Sequence, residues 1–339
     1  MKNILVTGGC GFIGSHTVVE LIGAGYEPII IDNFSNSERS VLDGIKKITG
    51  RSVAFYEGSV EDKKLLTKIF NEHQIEGIIH FAAYKAVDES VKKPLMYYEN
   101  NVSGLVTLLQ AAEEHHVTSF VFSSSCTVYG EPDHLPITEV SPVKPAVSPY
   151  GATKQTGEII TRDTAHASQN LRAIALRYFN PIGAHPSAAI GELPHGVPAN
   201  LVPFVTQAAA GWRKGLTVYG NDYDTPDGSN VRDYIHVVDL ALAHIKALEH
   251  IARRSPGFYD FCNCGTGRGS SVLEVIKTFE DVTGQKLTYH IGPRRPGDIV
   301  QIYASVDKAK AMLGWETTRS LAEGLEDAWR WQQTLTKPS

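Results

Sequence analysis

Cysteine is scarce in this chain, with four among 339 residues. No disulfide framework is expected, and Cys262-Asn263-Cys264 lacks both the two-residue spacer and the second ligand pair of a zinc site. The 13 histidines are scattered, with no H-E-x-x-H and no i, i+4 pair beside a carboxylate cluster, so no metal is expected. Long apolar runs are missing too. Nothing approaches the ~20 residues of a membrane-spanning helix, and Lys2-Asn3-Ile4-Leu5-Val6 reads as a strand in place of a signal peptide. A cytoplasmic protein without a membrane partner is expected. Charge of one sign is also lacking. The formal net charge is -5 with no polybasic run, which argues against nucleic acid and anionic membrane as partners. Internal repeats and low-complexity stretches are absent. What is present is 42% hydrophobic and 20% charged residues, over a length that can bury a large core in one large domain or two closely joined ones.

Short apolar runs at 4–7, 28–31, 53–57, 77–81, 119–123 and 172–178 alternate with amphipathic segments. Repeated β-α units of this kind predict an α/β fold with a Rossmann-type, doubly wound parallel sheet. After Asn180 the pattern loosens into a Gly/Pro-rich stretch from Pro181 to Pro198, before helices and short strands return. The expected division is a cofactor-binding half, 1–180, and a smaller α/β substrate-binding half, 181–339, with some segments of the second returning to the first. Ser271 followed by Glu274 resembles a capping box and marks a helix start, and residues 336–339 read as a frayed end.

The first chemical motif is Thr7-Gly8-Gly9-Cys10-Gly11-Phe12-Ile13-Gly14, between the first strand and a helix running to about Ile22. Gly9, Gly11 and Gly14 have the G-x-G-x-x-G spacing. Side chains there would obstruct the tight turn, the approach of backbone N–H groups to a pyrophosphate and the packing of helix on strand. The helix N-terminus adds about half a unit of positive charge where phosphates would sit. Asp32 closes the second strand, where a carboxylate accepts hydrogen bonds from both ribose hydroxyls of NAD and repels the 2′-phosphate of NADP. NAD is the expected cofactor. The bland readings are a plain tight turn and a loop aspartate that starts a turn with Asn33.

The second motif joins Ser123-Ser124-Ser125, at a strand end, to Ser148-Pro149-Tyr150-Gly151-Ala152-Thr153-Lys154. Ser148 reads as a helix N-cap and Pro149 as its first turn, which sets Tyr150 and Lys154 four apart on one helical face. A free tyrosine ionises near pH 10, so only about a thousandth is phenolate at pH 7. An ammonium about 5 Å away at an effective dielectric near 20 contributes roughly 3 kcal/mol, or about two pK units, toward neutrality. Ser125 can hydrogen-bond the same substrate oxygen. Alone, a Tyr-x-x-x-Lys pair is common on helix surfaces; it gains meaning from the glycine turn and serine strand end before it.

Together with Thr127-Val128-Tyr129-Gly130, Arg177-Tyr178-Phe179-Asn180 and Arg232-Asp233-Tyr234-Ile235-His236-Val237, these motifs resemble the UDP-glucose 4-epimerase (UDP-galactose 4-epimerase) family of extended short-chain dehydrogenases. The likeness covers nearly the whole chain, with motifs in order and at consistent spacings. It implies reversible inversion at C4 of a UDP-hexose with tightly held NAD, and a homodimer formed through long helices at about 94–116 and 150–168. The catalytic residues it implies are Ser125, Tyr150 and Lys154. Tyr150 removes the 4-hydroxyl proton as C4 gives up a hydride, and the 4-keto sugar turns before it is reduced on its other face. Binding energy is therefore expected on the nucleotide in preference to the hexose.

The same resemblance implies cofactor contacts from Gly8, Gly11, Phe12, Ile13 and Gly14, and from the loop Asp32, Asn33, Phe34, Ser35, Asn36 and Ser37. Further contacts are implied from Ser59 and Val60, from Phe81, Ala82, Ala83, Tyr84 and Lys85, and from Asn100 and Phe179. On the UDP-sugar side it implies Asn180, Asn200, Leu201, Tyr219 and Tyr234, with Arg232 and Arg295 clamping the diphosphate and Asp298 accepting a ribose hydroxyl. Surface salt bridges are the bland alternative for either arginine.

Two positions depart from the family pattern. Gly58-Ser59-Val60 stands where the family commonly has an aspartate after the glycine to meet the adenine amine, and a serine hydroxyl accepts more weakly. Ile302 falls where a large tyrosine excludes N-acetylated sugars and a small residue admits them, so its intermediate size predicts slow acceptance of UDP-N-acetyl sugars. A 4,6-dehydratase would need an acidic pair beside the serine, which Ser125-Cys126-Thr127 does not offer. A UDP-glucuronate epimerase or decarboxylase is harder to set aside. A non-catalytic NAD-binding sensor need not keep Ser125, Tyr150 and Lys154 together.

Overall fold

The computed structural model describes residues 2–295 and 298–337; Pro338 and Ser339 of the expected frayed end lie outside the described residues. The runs Ile4-Leu5-Val6 and Ile29-Ile30-Ile31 have no polar residue to turn toward water, and all six side chains are buried. Alternation decides which core each joins. Ile4, Val6 and Ile30 face one apolar cluster, while Leu5, Ile29 and Ile31 face another on the opposite side of the sheet.

In chain order the first part comprises β1 (Asn3–Thr7), α1 (Phe12–Gly23), β2 (Glu27–Asp32), α2 (Ser40–Thr49), β3 (Ala54–Glu57), α3 (Lys63–Glu72) and β4 (Ile75–His80). It continues through α4 (Val87–Lys92), α5 (Pro94–Tyr98), a π-helical turn (Glu99–Ser103), α6 (Gly104–Glu114), β5 (Ser119–Ser125), α7 (Pro149–Ala167) and β6 (Arg172–Tyr178). The second part holds β7 (Asn180–Ile182), α8 (Leu201–Ala209), β8 (Leu216–Tyr219), β9 (Val231–Arg232), β10 (Tyr234–His236), α9 (Val237–Ile251) and β11 (Tyr259–Cys264). It closes with β12 (Ser270–Ser271), α10 (Val272–Thr283), β13 (Tyr289–Gly292), β14 (Gln301–Ile302), α11 (Asp307–Leu313) and α12 (Leu321–Gln332).

The main sheet has seven parallel strands in the order β11-β6-β5-β4-β1-β2-β3. All six strands expected from the apolar runs are in it, with ends shifted by at most two residues and β6 matched at both ends. The seventh, β11, comes from far along the chain and pairs with β6, while α9 packs against α1. Strand order reverses between β1 and β4, which opens a crevice at their carboxyl ends. The remaining strands form small sheets, β7 with β10, β12-β9-β14, and β8 with β13, around a core of Val205, Phe279 and Leu325 among others.

Caps fix the helices that matter here. The Ser148 hydroxyl accepts from the Gly151 N–H at 3.1 Å and Pro149 fills the first turn, so α7 begins where the sequence places it. Ser271 accepts from the Glu274 N–H, but the Glu274 carboxylate pairs with Arg268, so only half of the expected capping box forms. Both halves are present at Ser320 and Glu323, which start α12.

Candidate active site

The crevice begins at the turn between β1 and α1. Gly8 has φ +69, and a Cβ there would lie 2.9 Å from the Ala82 backbone nitrogen. A Cβ on Gly14 would lie 2.2 Å from the Gly8 carbonyl oxygen, so helix and strand can approach this closely only around a bare Cα. The turn closes with Gly11 N–H donating to Gly8 C=O at 3.0 Å, and α1 presents its N-terminus to the cavity. The cavity has a volume of about 550 Å³. From the glycine turn, Gly8, Gly11, Phe12, Ile13 and Gly14 line it.

Asp32 ends β2 on the cavity wall and is 7% exposed. Its carboxylate accepts from the Cys10 N–H (2.9 Å), the Phe34 N–H (2.9 Å) and the Ser37 hydroxyl (2.8 Å), so it organises the turn and the following loop as well as facing the cavity. Asn33, Ser35, Asn36 and Ser37 line the wall. Phe34 does not: its ring packs on Phe55 at 5.2 Å and under the Arg39 guanidinium, because burying an aromatic face there is favoured over exposing it in the crevice. Ser59 and Val60 form the far wall, and the Ser59 hydroxyl donates to the Glu61 carboxylate. Phe81, Ala82, Ala83, Tyr84, Lys85 and Asn100 line the near side. Lys85 pairs with Glu192 at 3.3 Å, and the Asn200 amide donates to the same carboxylate at 2.7 Å.

Tyr150 and Lys154 both line the cavity from α7 and are 7% and 5% exposed. The Lys154 ammonium lies 5.9 Å from the centre of the Tyr150 ring and donates to the Ser123 carbonyl at 2.7 Å. Ser125 ends β5, 7% exposed, with its hydroxyl accepting from the Thr127 N–H. Burial holds the Lys154 pKa down to about 8, with the Glu158 charge pulling it back up. Burial also pushes the Tyr150 phenol well above its usual value, and the neighbouring Ser125 hydroxyl opposes this only partly. The lowering expected from Lys154 is not among the causes that act on Tyr150 in the protein alone, where burial dominates because a phenolate loses its hydration.

Residues expected on the substrate side are more dispersed. Asn200 lines the cavity as the N-cap residue of α8, with Leu201 opening the helix. Asn180 begins β7, where its N–H donates to the Asp233 carbonyl, and Tyr234 sits buried on the paired strand β10. Arg232 on β9 donates to its neighbour's Val231 carbonyl. Arg295 makes a two-pronged pair with Asp298, both contacts at 3.0 Å, and its guanidinium lies 5.0 Å over Tyr219. The two residues assigned to phosphate and ribose therefore engage each other. Phe179 and Ile302 are buried together with Cys126 in one apolar cluster, away from the cavity lining.

Several site residues were not expected from the sequence. Asn101, next to the predicted Asn100, holds the near wall: its side chain accepts from Tyr84 N–H at 2.9 Å and donates to Tyr84 C=O and to the Thr153 hydroxyl. It lies within the π-helical turn, a departure from helical spacing that simple periodicity does not register. Glu192 to His195, Val197 and Ala199 wall the cavity from the irregular Gly/Pro-rich stretch, which carries no periodic signal. Tyr178 lines the cavity too and hydrogen-bonds the Ser123 hydroxyl.

The glycine turn, the helix N-terminus behind it and the carboxylate at the end of β2 suit a dinucleotide: diphosphate over bare backbone, ribose against Asp32. The family described as GDP-mannose 4,6 dehydratase matches residues 5–328. The UDP-glucose 4-epimerase of Bacillus subtilis (strain 168) is 51% identical over 331 residues, covering 98% of this chain and 97% of that protein. That of Haemophilus influenzae is 49% identical over 334 residues, covering 98% of each. Among solved structures, the UDP-glucose 4-epimerase of Stenotrophomonas maltophila with bound NAD and formylated UDP-arabinopyranose superposes with a TM-score of 0.96 at 45% identity, covering 98% of each chain. The Bifidobacterium longum enzyme in complex with NAD+ and UDP gives 0.94 at 46% identity, again over 98% of each chain.

Proposed function

Because the chain belongs to the UDP-glucose 4-epimerase family, we propose how its own residues carry out the NAD-dependent, reversible interconversion of UDP-glucose and UDP-galactose at C4. NAD bound in the crevice supplies the hydride acceptor, and afterwards the donor, at the sugar carbon. Tyr150 takes the proton of the 4-hydroxyl as that carbon is oxidised, and returns it once the 4-keto sugar has turned over. Ser125 donates a hydrogen bond to the same oxygen and holds it in line. Lys154, anchored on the Ser123 carbonyl, supplies the positive charge that offsets the cost of a buried phenolate.

One observation carries this reading: Tyr150 and Lys154 share one face of α7 and open on the same crevice as the glycine turn. On the substrate side we place the diphosphate between Arg232 and Arg295, with Asp298 released from Arg295 to accept a uridine ribose hydroxyl. An exposed apolar face on α4 to α7, with Val91, Leu95 and Ile159, supports a homodimer in which two copies pair these helices. Its check is sedimentation of Leu95→Glu, which is expected as a monomer. Four unpaired cysteines fit a reducing compartment, and we place the enzyme in the cytoplasm.

The test is to incubate purified protein, without added cofactor, with UDP-galactose, UDP-GalNAc and UDP-glucuronate and to resolve the products. Conversion of UDP-galactose to UDP-glucose is expected. Tyr150→Phe is expected to retain NAD and lose turnover by about a thousandfold or more; unchanged turnover would sink the assignment.

A further inference from the structure

Ser124, Glu158 and Arg177 form a buried knot that the chemistry above does not use. Glu158 lies on α7, four residues beyond Lys154 and on the same helical face. Its carboxylate accepts from Ser124 Oγ at 2.5 Å, from Arg177 Nε at 2.8 Å and from the terminal guanidinium nitrogen at 2.6 Å. Exposure is 7% for Glu158, 4% for Arg177 and 0% for Ser124. The guanidinium is further held between the rings of Phe261, at 3.9 Å, and Tyr129, at 4.8 Å. Taking two ions out of water costs about as much as their pairing returns, so an apolar pair of the same shape would serve stability equally well. A charged pair here points to another task.

Each partner of Glu158 neighbours an active-site group. Ser124 sits between Ser123, whose carbonyl anchors Lys154, and Ser125. Arg177 precedes Tyr178, whose hydroxyl bonds Ser123. We propose that Glu158 is a positioning residue for the epimerisation: by tying α7 to the tips of β5 and β6, its carboxylate seats the Lys154 ammonium beside Tyr150. The inference rests on the roles given above to Tyr150 and Lys154.

Several groups neighbour Lys154. From α7 come Tyr150 and Glu158, from β5 the Phe122 ring and the Ser123 carbonyl, from β6 Tyr178, and from β4 His80. His80 is neutral, because burial first and Lys154 second hold its pKa down to about 3. Glu158 is the anion of this set, with the Arg177 guanidinium paired to it, and it raises the Lys154 pKa against the effect of burial.

Glu158→Gln in the NAD-loaded enzyme tests this through the pH dependence of kcat. The amide keeps shape and removes charge, so the alkaline limb, where Lys154 loses its proton, is expected to move down by about one pH unit. At pH 7 kcat is expected to fall about twofold and at pH 9 about tenfold, while KM for UDP-galactose changes less than twofold, because the nucleotide contacts are elsewhere. Ser124→Ala, which keeps the charge and cuts the tie to β5, is expected to lower kcat without moving the limb. Should Glu158→Gln fail to fold, Ser124→Ala carries the test by itself, and an unchanged kcat in that variant overturns the proposal. An alkaline limb that stays in place assigns Glu158 to the framework alone and overturns the proposal. Turnover by Tyr150→Phe would instead remove the reading beneath it, so the two failures are distinguishable.

Discussion

Asp32 shows how one carboxylate serves two ends. It fixes the turn through Cys10, Phe34 and Ser37, and its negative charge faces the crevice where a 2′-phosphate would have to fit. Asp32→Asn keeps the shape and removes the charge. NAD affinity is expected to fall about tenfold, with NADP rising relative to it; cofactor titration by fluorescence measures both. Ile302 is a residue of the opposite kind, apolar and 3% exposed beside Phe179 and Cys126. UDP-GalNAc turnover is expected at roughly 10 to 100 times below that of UDP-galactose. Product chromatography decides it, and no detectable turnover would remove Ile302 as an intermediate gate. The placing of Tyr150 and Lys154 on one wall of the crevice was legible because a tyrosine and lysine four apart, behind a Ser-Pro helix start, carry their geometry in the sequence itself. Asn101 and Glu192 were not: one lies in a π-helical turn and the other in an irregular loop, and neither conformation has a periodic signature.

At the level of elements, apolar runs were reliable guides to strands whose faces are both covered. β11 escaped them because Tyr259-Asp260-Phe261-Cys262-Asn263-Cys264 mixes polar residues into what is an edge strand of the sheet. Asn263 is nevertheless fully buried, satisfied by the Tyr129 hydroxyl at 2.7 Å and by the Ile137 carbonyl at 3.1 Å. Such long-range partners cannot be read from neighbours in sequence. The two-residue strands β9, β12 and β14 are too short to show any period. The β1–α1 turn, by contrast, was fully legible, and its tolerance is narrow. Gly14→Ala sets a methyl group 2.2 Å from the Gly8 carbonyl oxygen, which forces the helix off the strand. Loss of bound NAD and a destabilisation of about 2 kcal/mol or more are expected, read by cofactor content and by denaturant midpoint.

For the molecule as a whole, buried histidines set the response to acid. Burial holds His16, His80 and His244 down to pKa values of about 3, 3 and 4, well below 6.5. The unfolded chain therefore binds these protons first. Their neutral burial supports the fold fully above pH 6.5, and that support is lost as pH falls toward 4 and 3, at up to about 1.4 kcal/mol per pH unit for each group. Urea midpoints measured from pH 7 to pH 4 are expected to fall steeply, and His244→Gln to flatten the slope; a slope unchanged by that substitution would count against the assignment.

The return of α9 and β11 to the main sheet has a temporal side. During synthesis the first six strands emerge long before their last neighbour, so β6 is born as an unprotected edge and α1 as a helix with one bare flank. A nascent chain stopped at 180 is therefore expected to be protease-sensitive and unable to retain NAD, and one released through residue 264 to be the shortest in which the sheet has its full complement of strands.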